Sequence, residues 1–125
     1  MKRPIKIVLI GAGSTYTPEL IEGLINKRKD LELRELALMD IDSEKLEIVG
    51  SMARRMLQAA EISWPVNFYD SYDCVAGADY VITQIRVGQM TARINDEKIP
   101  LKYGMIGQET CGIGGFAMAA SPAIV

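Results

Sequence analysis

The feature that most restricts this chain is a six-residue apolar run broken off by a glycine turn. Ile5-Lys6-Ile7-Val8-Leu9-Ile10 is rich in β-branched residues, stops at Gly11 and passes through Ala12-Gly13-Ser14-Thr15 into a helical pattern. A run of that kind predicts a strand buried on both faces, at the centre of a parallel sheet. The pattern that follows predicts a helix over 17–28, with Pro18 suited to the first helical position, Thr17 placed to cap it, and Leu20, Ile21, Leu24 and Ile25 on one apolar face. A second strand over 35–39 ends at Asp40, and a helix over 43–61 puts Leu46, Val49, Ala53, Met56, Leu57 and Ala60 on one side. A third strand over 66–69, a short helical turn over 71–75 and a fourth strand over 78–85 complete the regular part. Strands alternating with helices in this order predict an α/β, Rossmann-type, doubly wound parallel sheet. A more polar helix is expected over 91–103, followed by a glycine-rich segment from Gly104.

Composition then excludes several classes of function. Of 125 residues 49% are apolar and 24% charged, which suits one globular domain. Fourteen basic against sixteen acidic side chains give a net charge of −2, so no basic excess points to nucleic acid or to a membrane surface. Histidine is absent, which removes an imidazole base and a His-ligated metal site from these residues. Cys74 and Cys111 form no CxxC pair and read as reduced thiols. The apolar stretch near the N-terminus is too short for a signal peptide or a membrane span, so a cytoplasmic protein is expected. Every charged side chain lies at or before Glu109, and the chain ends on Pro122-Ala123-Ile124-Val125. That unbalanced end predicts the N-terminal part of a longer protein.

Gly11, Gly13, Ser14 and Thr15 lie between a strand and a helix, where glycines allow a pyrophosphate to approach the backbone and the helix start offers N–H groups and positive potential. Tyr16 stands where a third glycine is usual, and an ordinary strand-to-helix turn would look much the same. Asp40 adds weight: an acid ending the second strand accepts hydrogen bonds from an adenosine ribose and repels a 2′-phosphate, favouring NAD over NADP. Its simpler role is a turn or capping residue shared with Asp42. The fourth strand is expected to deliver Thr83, Gln84 and Arg86 to the carboxyl edge of the sheet, where such folds bind ligands. Arg86 and Arg93 are seven residues apart, two turns if the intervening chain is helical, and could face one anionic ligand. Pairing with Asp96 or Glu97 in solvent is the competing reading. Gly107-Gln108-Glu109-Thr110-Cys111-Gly112-Ile113-Gly114-Gly115 offers a flexible backbone with sugar-type hydrogen-bonding groups, Glu109 among them.

Four stretches, Gly-Ala-Gly-Ser-Thr-Tyr-Thr-Pro-Glu-Leu (11–20), Thr-Gln-Ile-Arg-Val-Gly (83–88), Ala-Arg-Ile-Asn-Asp-Glu-Lys-Ile-Pro-Leu-Lys-Tyr-Gly (92–104) and Gly-Gln-Glu-Thr-Cys-Gly (107–112), resemble the family 4 glycoside hydrolases, especially their 6-phospho-β-glucosidases. The resemblance covers nearly the whole chain in order. It implies an NAD- and manganese-dependent hydrolase outside the two-carboxylate scheme. In that scheme's place, NAD oxidises the sugar 3-hydroxyl, a tyrosine removes the acidified proton on carbon 2, the glycosidic oxygen is eliminated, water adds and the ketone is reduced. Position by position it implies cofactor contacts at Gly11, Gly13, Ser14, Thr15, Asp40 and Arg86, a sugar-phosphate contact at Arg93 and a substrate-side acid at Glu109. The metal cysteine and histidine and the base tyrosine fall beyond Val125. No catalytic residue or metal ligand is therefore expected within residues 1–125, which form an NAD-binding domain expected to be inactive alone. Cys111 belongs to a different motif from the metal cysteine. Gln89 and Met90 stand where relatives carry a glycine-containing pair, a change expected to fall in a loop. The implied full-length enzyme is a homo-oligomer acting on a phosphorylated disaccharide or glucoside. A 6-phospho-α-glucosidase, an α-galactosidase or an α-glucuronidase is the alternative within the family. A non-catalytic NAD-binding module is the alternative outside it.

Overall fold

The computed structural model describes residues 3–107. The chain divides into two compact units between Ile85 and Arg86, and each is described by itself. The first unit runs β1 (Ile5–Ile10), α1 (Thr17–Asn26), β2 (Leu33–Met39), α2 (Ser43–Ala59), β3 (Val66–Tyr69), a 3₁₀ turn (Tyr72–Val75) and β4 (Tyr80–Thr83). Its four strands pair in the order β3-β2-β1-β4, all parallel, which is the expected Rossmann-type arrangement. With β1 flanked on both sides and covered on both faces, a strand that is apolar but for Lys6 is what that position requires.

Alternation along the strands sorts the core into two layers. Ile7 and Leu9 of β1 and Leu36 and Leu38 of β2 point to one face, where Ile21 and Leu24 of α1 and Leu46, Ala53 and Leu57 of α2 bury against them. Val8, Ile10, Ala37 and Met39 point to the other face and pack with the free, buried Cys74 of the 3₁₀ turn. Gly50 lets α2 lie close on the sheet, since a β-carbon there would stand 2.4 Å from the Phe68 ring. Nothing in the hydropathy pattern marks that glycine.

The same alternation places Lys6 beside its register partner Glu35 on the second face. Lys6 Nζ lies 3.0 Å from Glu35 Oε2 and donates to the Ala76 carbonyl at 3.2 Å. Glu35 Oε1 accepts from the Tyr69 hydroxyl at 2.6 Å and from Asn67 at 3.0 Å. Burial pushes the Glu35 carboxyl up, but the hydrogen bonds from Tyr69, Asn67 and Lys6 and the Lys6 charge outweigh it and bring the pKa from 4.5 down to about 2.

Element boundaries differ from expectation by a few residues. β4 is shorter than 78–85, although Asp79 and Gln84 still donate to the Lys6 and Ile10 carbonyls at its two ends. Thr17 does not cap α1. It is fully buried as the first helical residue and its hydroxyl donates to the Ala12 carbonyl at 2.8 Å, while Tyr16 holds the cap position without a side-chain bond. The hydroxyl thus ties the helix back to the glycine turn.

In the second unit the described residues form α3 (Gln89–Leu101) and the turn after it. Gln89 and Met90 open this helix and do not lie in a loop. Gly88, with φ +75°, turns the chain just before it, and Gln89, with φ +52°, is its first residue.

Candidate functional site

The strand-to-helix turn of the first unit is built by backbone bonds to the neighbouring strand. Gly11 and Ala12 both donate to the Met39 carbonyl at the end of β2, at 2.8 and 3.0 Å. Gly11 has φ +83°, and a β-carbon there would lie 2.3 Å from the Gln84 carbonyl oxygen. Conformation and space both demand glycine. Ser14 donates its N–H to the Gly11 carbonyl, and its hydroxyl accepts the Tyr16 N–H at 3.2 Å. Thr15 and Tyr16 are exposed beside the turn.

Asp40 closes the site. Its Oδ2 accepts the Gly13 N–H at 2.7 Å and its Oδ1 accepts the Asp42 N–H at 2.9 Å. A β-carbon on Gly13 would approach that Oδ2 and the Lys45 β-carbon, each at 2.9 Å. The acid is therefore held against the turn by the same glycine the motif requires, with lone pairs left for a ribose diol. Capping of α2 falls to Asp42, whose carboxylate accepts the Lys45 N–H at 3.1 Å. Asp40 thus makes the turn bond and Asp42 the helix cap.

Gly11, Gly13, Ser14, Thr15 and Asp40 come together as expected in the first unit; Arg86 and Arg93 lie in the second. Arg86 precedes Gly88, so the two-turn helical spacing between the arginines does not hold: the left-handed residues 88 and 89 interrupt it. Arg93 is on α3, where its Nε donates to Glu97 Oε1 at 3.2 Å, the pairing of the competing reading. Gly107 packs on the same stretch: a β-carbon there would meet the Glu97 carbonyl at 2.2 Å. Glu109 and Cys111 lie outside the described residues. Among the described residues no group of three or more His, Cys, Asp or Glu side chains gathers as metal ligands would, and no helix is long and apolar enough to cross a membrane.

This turn and the motifs around it match the model for family 4 glycosyl hydrolases over residues 6–122. The chain belongs to that family. It is 51% identical over 120 residues to a Bacillus subtilis protein named "Probable 6-phospho-beta-glucosidase", covering 92% of this chain and 27% of that protein. The solved 6-phospho-β-glucosidase of Thermotoga maritima, with NAD and glucose-6-phosphate, superposes with a TM-score of 0.84 at 44% identity over 98% of this chain and 30% of that one. The same enzyme has been solved with manganese, NAD⁺ and glucose-6-phosphate. A 6-phospho-α-glucosidase from gut microorganisms, with NAD and glucose-6-phosphate, superposes with a TM-score of 0.81 at 36% identity, over 93% of this chain and 27% of that one. The chain thus spans less than a third of the length of these relatives.

Proposed function

We propose that this family 4 chain is the NAD-binding part of a 6-phospho-β-glucosidase that works in the cytoplasm and hydrolyses phosphorylated β-glucosides. The observation that carries the β assignment is the gradient of identity: 51% and 44% to the two β-glucosidases against 36% to the α-glucosidase. The cofactor half rests on the geometry of the turn, where Gly11 and Gly13 leave a backbone surface without side chains and Asp40 sits against it. In this reading Gly11, Gly13, Ser14 and Thr15 receive the pyrophosphate and Asp40 receives the adenosine ribose. Bound NAD supplies a hydride acceptor and donor for a sugar hydroxyl. The described residues do not form a donor set for manganese, and their roles are in binding the cofactor and the substrate phosphate.

Arg93 is the phosphate-binding residue of the proposal, a guanidinium whose planar fork suits a phosphate and whose Nε donates to Glu97 Oε1. Glu109 is the substrate-side acid of this reading. In the full-length enzyme, supplied with NAD and manganese, Arg93→Ala should raise KM for a 6-phospho-β-glucoside about 10- to 100-fold, the worth of a charge-assisted contact. An equal loss on the unphosphorylated glucoside would remove Arg93 from the phosphate site. The anomeric assignment is tested with the wild-type enzyme on paired 6-phospho-α- and 6-phospho-β-glucosides. Preference for the α series would replace the β-glucosidase reading with the α one.

A further inference from the structure

The start of α2 carries an ion pair that the cofactor reading leaves unused. Asp42 Oδ2 lies 3.0 Å from Lys45 Nζ, while the other oxygen of the same carboxylate takes the Lys45 N–H. The Lys45 side chain starts against the glycine turn, because its β-carbon is one of the two groups that a β-carbon on Gly13 would meet. The other is Asp40 Oδ2. A lysine rooted beside the turn and the ribose-binding acid is well placed to meet a phosphate on the ribose 2′-oxygen, but its ammonium is turned onto Asp42.

Resting on the NAD reading above, we propose that Asp42 is a cofactor-specificity residue: by holding the Lys45 ammonium it denies the 2′-phosphate of NADP a counter-charge. Asp40 repels that phosphate directly, and Asp42 removes the cation that would offset the repulsion. Each partner strengthens the other's charge. The backbone N–H and then the ammonium of Lys45 hold the Asp42 carboxyl below its usual range, and Asp42 holds the ammonium above its own, so the pair stays ionised at neutral pH. Glu44 and Asp40 are the other charged groups acting on Lys45, and both are acids.

The test is titration of the full 125-residue chain with NADH and NADPH, followed by cofactor fluorescence. Asp42→Asn keeps an oxygen for the Lys45 N–H and removes the charge; Asp42→Ser, another good cap, is the second variant should the first lower the melting temperature. The ratio of NADPH to NADH affinity should rise about three- to tenfold in either variant, as expected of a solvent-exposed ammonium released to a phosphate. Adding Lys45→Met to Asp42→Asn should return the ratio to its wild-type value. An unchanged ratio in folded Asp42 variants that still bind NADH, or a rise that survives Lys45→Met, overturns the role of Asp42. Failure of the folded wild-type chain to bind either nucleotide overturns the cofactor reading itself, and is recognised by the wild-type titration alone.

Discussion

Replacing Gly11 with alanine should destabilise the fold by about 2–4 kcal/mol and abolish NAD binding, because the new methyl group meets strain and a clash together. At φ +83° an L-residue is strained, and the β-carbon would stand 2.3 Å from the Gln84 carbonyl oxygen and 2.8 Å from its carbon. Gln84 cannot retreat freely, since its own N–H donates to the Ile10 carbonyl at 2.8 Å and so closes the β1–β4 ladder. Gly23 on α1 is the control. A β-carbon there meets nothing within 4 Å, so Gly23→Ala should be neutral or stabilise by up to about 1 kcal/mol through helix propensity. Urea unfolding of the two variants separates these outcomes. Equal stability would show that the turn has room the geometry denies.

The second large effect is expected on the opposite layer of the core. Glu35→Ala leaves the Lys6 ammonium, whose side chain is only 9% exposed, with the Ala76 carbonyl as its remaining described hydrogen-bond partner, and takes the acceptor from Tyr69 and Asn67. Breaking one side of a buried pair in this way costs about 3–5 kcal/mol. The double variant Lys6→Met, Glu35→Gln removes both charges and keeps an oxygen for Tyr69 and Asn67, so it should recover more than half of that loss. The network also sets an acid limit. With the folded pKa of Glu35 near 2 against an ordinary 4.5, its contribution is complete above about pH 4.5 and disappears as pH falls toward 2. Between pH 5.5 and pH 3 the wild type should therefore lose more stability than the double variant. Parallel losses in urea titrations at the two pH values would contradict this origin.

These two sites differ in how far the sequence alone makes them legible. The Gly11 turn is readable because strand, glycines and helix start are adjacent in the chain, and each imposes a local rule. Asp40 is readable because the strand period fixes where β2 ends. The Lys6–Glu35 network is long-range, and its signal is slight: Lys6 in β1, and Glu35 beside Arg34 in β2, in otherwise apolar strands. Only the parallel register that makes those residues partners turns the signal into a contact. Thr17 shows the same limit on a smaller scale. Its residue type suits a cap, but the tight turn brings the Ala12 carbonyl within reach and the hydroxyl bonds there. The spacing of Arg86 and Arg93 misleads for the opposite reason. A seven-residue interval implies one face only in a continuous helix, and Gly88 and Gln89 break it.

If NAD lies on the Gly11–Thr15 turn with its ribose on Asp40, the backbone amides there must report it. The direct measurement is a titration of the isotope-labelled 125-residue chain with NAD⁺, followed by the backbone amide resonances. Saturable shifts should be largest at Gly11–Thr15 and at Asp40–Asp42, where the turn and the acid are joined by the Gly13 N–H to Asp40 bond of 2.7 Å. Saturating NAD⁺ that leaves those amides in place, or moves only amides on α2 beyond its first turn or on β3, would contradict that placement.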